Sequence, residues 1–329
     1  MTGQDAGGPA PGHAFGGDWT EDKLARVRGY LGAYTTIFTA NERARHFRTT
    51  YVDAFAGTGA RSSAAAGAEA RRRAEGSLFE DAEADPEARS FKRGSARAAL
   101  EVEPAFDSYV FVDRNPDHAE QLRRLGEEFP ERRGRISVEA AEANAFLQRW
   151  CAETDWDANR AVVFLDPYGM QVDWSTIEAI AATEGIDLWV LFPLGQAVNR
   201  LLTRRRIPEG ALANRLTRHL GTDSWKEEFY RATDAEGTPH EEAQPSMFEE
   251  LEAEGGILKT ATLEAIGDFF VRRLREIFPG VAPNPLMLRN SRNVPIYLLC
   301  FAAGNPRGAT PAVRIAGHLL GRRPGGPRE

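Results

Sequence analysis

The chain has 329 residues, 42% of them apolar, which suffices for a sizeable core in one large domain with insertions or in two unequal lobes. Its formal net charge of -7 argues against a protein that holds nucleic acid mainly by phosphate neutralisation, although a local basic site is compatible with it. Two distant cysteines in apolar contexts, Cys151 and Cys300, argue against a disulfide framework, and six scattered histidines without HExxH spacing predict no structural metal.

Residues 1–18 are rich in Gly, Pro and Ala, lack periodicity, and read as a disordered tail without an apolar signal region. The longest apolar runs, IDLWVLF and VPIYLLCFAA, are about half of the roughly 20 residues a membrane helix needs, so a cytoplasmic location is the expectation. In DWTEDKLARVRGYLGAYTTIF, Leu24, Val27, Leu31, Tyr34 and Phe38 recur at helical spacing. With Asp18 or Thr20 as N-cap, this predicts a long amphipathic helix packed on the edge of the core.

YVDAFAGTG, residues 51–59, comes next: a strand ends on Asp53 and drops into a loop containing Phe55, Gly57 and Gly59. Parallel-sheet proteins open a nucleotide site in this way. Residues 61–94 are dense in Ala, Arg and Glu and carry few large apolar side chains, which predicts a surface insertion, with Ser95 then capping the helix that resumes the fold.

From there strands and helices alternate: SYVFVD (108–113), PDHAEQLRRLGEEF, RISVEA, EANAFLQRW, RAVVFLD (160–166), DWSTIEAIAAT and IDLWVLF (186–192). Apolar runs separated by amphipathic helices indicate a parallel sheet covered on both faces, an α/β doubly wound fold. Residues 193–256 break the rhythm and read as a helical insertion on the substrate side. NPLMLRN and VPIYLLCFAAG, separated only by SRN, should pair as an antiparallel hairpin. Five parallel strands followed by a hairpin is the order of class I methyltransferases, whose fold is Rossmann-like.

A ligand at the strand ends of such a sheet meets predictable positions. Gly57 and Gly59 let the backbone approach it and tolerate positive φ. Asp113 ends the second strand, where a carboxylate accepts hydrogen bonds from ribose hydroxyls. EANAF follows the third strand, with Asn144 placed for an adenine edge and Phe146 beside it. FLDPYG ends the fourth, which places Asp166, Pro167 and Tyr168 at the site of chemistry. GTGARS approximates the GxGxxG of nicotinamide cofactors. That motif, however, requires its helix directly after the loop and an acid about 20 residues on, where this chain has its low-complexity insertion. An acid before the loop, Asp53, suits instead the positively charged methionine part of S-adenosylmethionine.

These pieces resemble the three-Cys-motif partner family, TcmP. The resemblance is carried by WTEDKLARVRGYLGAYTTIF, YVDAFAGTG, GSARAAL, FVDRNPDHAEQL, FLDPYGMQVDWSTI, WVLFPLGQAVNRLL and the strand VPIYLLCFAA, over roughly residues 18–320. It implies a methyltransferase-like S-adenosylmethionine fold and a partner, a radical-type protein carrying three cysteines. The chain departs from the family pattern in its 61–94 insertion and in GSARAAL, where the family tends to have a proline after Ser.

Asp-Pro-Tyr-Gly is similar to the Asp-Pro-Pro-Tyr of nucleic-acid amino-methyltransferases. By that similarity Asp166 and the Pro167 carbonyl accept from a target NH₂, and Tyr168 stacks on its ring. A nucleoside, a base of DNA or RNA, or a heteroaromatic metabolite all suit such a site. Two alternatives stay open: a non-methylating S-adenosylmethionine-binding partner of a radical enzyme, and another transfer from the same cofactor.

Overall fold

Residues rich in β-branched and aromatic side chains, in runs of four to nine, build the centre of the molecule. The computed structural model describes residues 18–57, 94–233, 256–290 and 292–322, with side chains from Lys23 onward in the first segment. Its parallel strands are β1 (Arg48–Asp53), β2 (Ser108–Val112), β3 (Ile136–Glu139), β4 (Asn159–Leu165) and β5 (Ile186–Phe192). Helix α1 (Asp18–Ala40) precedes them, and α2 (Ser95–Leu100), α3 (Pro116–Glu128), α4 (Ala143–Glu153) and α5 (Trp174–Ala182) lie between them.

Beyond β5 come α6 (Gly210–Leu220), α7 (Trp225–Phe229), the strand pair β6 (Tyr230–Thr233) and β7 (Gly256–Lys259), then α8 (Leu263–Ile277), β8 (Gly280–Val281), β9 (Leu286–Arg289), β10 (Pro295–Ala303) and α9 (Ala309–Leu320). The main sheet runs β3-β2-β1-β4-β5-β10-β8, and β9 also pairs with β10. The first five strands are parallel. β10 is antiparallel to β5 and to β9, as the short SRN connection requires. The fold is Rossmann-like, of the class I methyltransferase type.

Alternation along each strand feeds two cores. Val52, Val163 and Val190 face a layer with Phe146, Ile177, Leu216 and Phe270, whereas Tyr51, Phe164 and Trp189 face Tyr30, Leu100, Leu122 and Leu319. Burial on both faces explains why these strands read as unbroken apolar runs.

Three expectations change. Helix α1 lies across the sheet and not at its edge: Tyr30 packs on Trp189 and Phe301 at ring distances of 5.5 and 4.7 Å, and Tyr34 on Phe106 at 5.8 Å. Ser95 is the buried first residue of α2, whose N-cap is Gly94. In the described part of the 193–256 insertion a two-stranded antiparallel sheet accompanies the helices, because Tyr230–Thr233 finds Gly256–Lys259 as a partner that no local pattern announces. A π-helical turn at Leu194–Val198 lies directly after β5. Its Gly195 is required by close approach, since a Cβ there would stand 2.0 Å from the Pro295 carbonyl oxygen. The 61–93 stretch and the 1–17 tail lie outside the described residues.

Candidate cofactor and acceptor site

The loop after β1 is shaped by its own acid. Asp53 is fully buried, and its Oδ1 accepts from the Phe55 N–H at 3.2 Å, turning the chain out of the strand. Ala54 N–H donates to the Phe164 carbonyl and Ala56 N–H to the Val112 carbonyl, so the loop backbone is clamped between the ends of β4 and β2. Gly57 follows in the left-handed region, φ 62°, as its sequence position predicts. Gly59 lies outside the described residues.

Asp113 fastens this loop to the next one. Its Oδ2 accepts from the Gly57 N–H at 3.1 Å and lies 3.2 Å from His118 Nδ1, while Oδ1 accepts from the Asn115 N–H at 2.8 Å. Asn115 itself caps α3 by accepting from the Asp117 N–H, so Asp113 is not needed as the cap.

A cavity of about 630 Å³ opens at this carboxyl edge of the sheet. Phe55, Asp113, His118, Asn144, Tyr168 and Arg215 are among its lining residues. Its size falls within the range of small-molecule sites, and its place is where ligands bind open α/β sheets. Asp53, Pro167, Asp166 and Phe146 are not part of this wall.

Asn144 contributes as a brace and does not present its amide to an adenine. Its Nδ2 donates to Glu142 Oε1 and to the Gln171 carbonyl, both at 2.8 Å, and its Oδ1 accepts from the Asp173 N–H and from Thr176 Oγ1, both at 2.9 Å. A primary amide has two donors and two acceptor positions, and all four are used. Phe146 belongs to the core beneath α4, with Arg149 against its ring.

The DPYG loop is braced from several sides. Tyr168 N–H donates to Gln171 Oε1 at 3.0 Å, Gly169 has φ 57°, and Tyr168 is half-buried in the cavity wall. His219 of α6 holds the same loop: its Nδ1 lies 2.8 Å from the Val172 carbonyl oxygen, so that nitrogen carries the hydrogen. Burial lowers the His219 pKa to about 4, which keeps the ring neutral, and the ring stacks on Phe192.

Asp166 is held from below. Lys23 of α1, fully buried, places Nζ 2.7 Å from Asp166 Oδ2 and lies over the Phe164 ring. Burial pulls the Lys23 ammonium below its usual range, while Asp166 and then Asp53 draw it back up. Asp166 Oδ1 accepts no hydrogen bond among the described residues. The sequence reading missed Lys23. Its signal was a lysine four residues before Val27, on the apolar stripe of α1.

Comparison with known proteins gives a distant likeness only. No protein-family model matches the chain, and no curated protein matches it at a significant level. Among solved structures it is similar to protein LPL1258 from Legionella pneumophila, assigned to DUF519, with 12% identity and a TM-score of 0.44 over 94% of this chain and 92% of that one. It is similar to an uncharacterised COG1565-superfamily protein from Burkholderia thailandensis, at 10% identity and TM-score 0.30 over 87% and 80% of the two chains. The StiE O-MT fragment shares 8% identity, with a TM-score of 0.28 over 91% of this chain and 79% of that chain. Among the described residues no helix is long and apolar enough to cross a membrane.

Proposed function

We propose that this chain is an S-adenosylmethionine-dependent methyltransferase acting on a flat nitrogen-bearing acceptor: a nucleoside, a base or a heteroaromatic metabolite. The observation that carries the reading is the join between Gly57 and Asp113. It brings the β1 loop and the end of β2 together beside one cavity, whose far side is the Tyr168 loop of β4.

The residues present fit an adenosyl group. Asp113 supplies carboxylate oxygens for a ribose diol at the cavity wall, and Phe55 and the Ala141–Asn144 turn supply apolar and backbone surface for a base. Bound there, the cofactor supplies a methyl group on an already electrophilic sulfonium carbon, so the protein's task is positioning and proton handling. Tyr168 offers a ring face to the acceptor, worth on the order of 1–3 kcal/mol for stacking on a base. Lys23 fixes one oxygen of Asp166, and Oδ1 and the Pro167 carbonyl, which lie behind the cavity wall next to Tyr168, are assigned to the acceptor NH₂. Asp53 shapes the loop and lends negative charge near the sulfonium.

A second reading has its own observation. Because Asp166 is committed to a buried cation, the chain also suits a non-methylating S-adenosylmethionine-binding role beside a radical-type three-Cys protein, the partner that the TcmP resemblance implies. Incubating the purified protein with S-adenosylmethionine and pools of nucleosides and cellular nucleic acid, then looking by mass spectrometry for a gain of one methyl mass, separates the two. A methylated product lost in an Asp166→Ala variant that still folds and binds S-adenosylhomocysteine supports catalysis; cofactor binding without any product in either pool supports the partner role.

A further inference from the structure

The chain's charge is unevenly placed. Residues 234–255 contain eight acidic residues and no Lys or Arg, so outside that stretch the formal charge is +1. Residues 199–218, by contrast, contain six arginines and one glutamate. This segment leaves the carboxyl end of β5 and runs into α6, on the cavity's side of the sheet.

The arginine loop is a built element. Thr203 O accepts from the Tyr230 hydroxyl at 3.0 Å, Arg204 O accepts from the Lys259 N–H at 2.8 Å, and Thr203 Oγ1 donates to Arg206 O. The β6-β7 pair thus pins the backbone while Arg204, Arg205 and Arg206 remain exposed. Arg206 pairs with Glu209, but Arg204 and Arg205 have no carboxylate partner among the described residues. Further on, Arg215 and Arg218 line the cavity itself, as does Arg114, and Arg218 pairs with Asp173 at 3.4 Å. Chain geometry limits the distance from Arg206 to Arg215 to about 20 Å.

A small metabolite inside the cavity would meet Arg215 and Arg218 but has no use for two exposed arginines on a pinned backbone outside it. A ligand with phosphates repeating along a chain does. We infer that the Arg204–Arg205 loop and the arginines at the cavity mouth bind the phosphate backbone of a single-stranded polynucleotide whose base is the methyl acceptor. The inference rests on the methyltransferase reading for the placement of that base. Single strands are favoured because a base must leave the stack to enter a cavity, and Tyr168 offers the one ring face such a base needs there.

The test uses the full chain and fluorescently labelled 15-nucleotide single strands of RNA and DNA, followed by anisotropy between 50 and 200 mM salt. Three to five phosphate contacts predict a slope of log affinity against log salt of roughly -2 to -4. Arg204→Ala with Arg205→Ala should make the slope shallower by about 1.4 and weaken binding at least about tenfold at 100 mM salt, two contacts being lost. The double lysine variant should keep the parent slope, and S-adenosylhomocysteine affinity should be unchanged in both. No oligonucleotide binding at 50 mM salt, or an alanine variant with the parent's slope, overturns the inference even if S-adenosylhomocysteine binds. Arginine-dependent oligonucleotide binding without any adenosyl binding upholds the surface and instead removes the cofactor reading.

Discussion

Lys23 Nζ stands 2.7 Å from Asp166 Oδ2, and the lysine is completely buried. The pair joins the helix before the first strand to the motif after the fourth, 143 residues apart in sequence. Removing only the cation leaves a buried carboxylate uncompensated, which costs about 3–5 kcal/mol, whereas removing both charges is often nearly neutral. Lys23→Met should therefore be strongly destabilised in urea unfolding, and Lys23→Met with Asp166→Leu should regain most of the loss. Equal destabilisation of the single and double variants would contradict the pairing.

The Asn144 amide uses its full hydrogen-bonding capacity within the protein. Asn144→Ala strands buried partners in the β4–α5 loop and should cost about 1–3 kcal/mol of stability. As a brace, it should not alter the preference for adenosyl over other nucleoside ligands. Competition calorimetry with guanosine and cytidine analogues checks this: relaxed base selectivity in the variant would restore Asn144 as a base-reading residue.

His219 makes stability depend on pH with a defined sign. Its folded pKa, about 4, lies below the ordinary 6.5, so the unfolded chain takes up the proton first as pH falls. Its contribution is fully present above about pH 6.5 and is lost as pH drops towards 4, by up to about 3 kcal/mol. Asp187, raised to about 6 by burial against its hydrogen bond from Tyr30, works in the opposite direction, losing stability as pH rises from 3.8 towards 6. The difference between the parent and His219→Phe isolates the histidine. That difference should shrink from pH 7 to pH 4 by denaturant titration; a pH-independent difference would contradict the buried neutral ring.

Tyr168 is assigned to ring stacking, so Tyr168→Phe should retain turnover within a few-fold, and Tyr168→Ala should lose at least about tenfold, the equivalent of one stacked base. Steady-state kinetics on an identified acceptor decides. Equal losses in the two variants would shift the role to the hydroxyl.

Much of this architecture was legible because parallel strands buried on both faces leave unmistakable apolar runs, and because Gly57 and Asp113 occupy positions that the strand order makes predictable. What escaped depended on distant partners. The β6-β7 pair forms between short segments without a period of their own. Asn144 reads as a ligand group because its internal partners come from the N-terminal ends of α4 and α5 and the loop before α5, which no local pattern brings together. Lys23 was hidden because a charged residue on an amphipathic helix reads as solvent-facing until its counter-ion, here in the fourth strand's loop, is known.

Isothermal calorimetry with S-adenosylhomocysteine on the parent and on Asp113→Ala tests most directly the proposal that the Gly57–Asp113 junction builds an adenosyl site. One-site binding is expected in the parent, reduced at least about tenfold in the variant by the loss of hydrogen bonds to a charged acceptor, at about 1.5–3 kcal/mol each. Binding of NAD with no heat from either adenosyl ligand, or an Asp113→Ala variant with the parent's affinity, would contradict it.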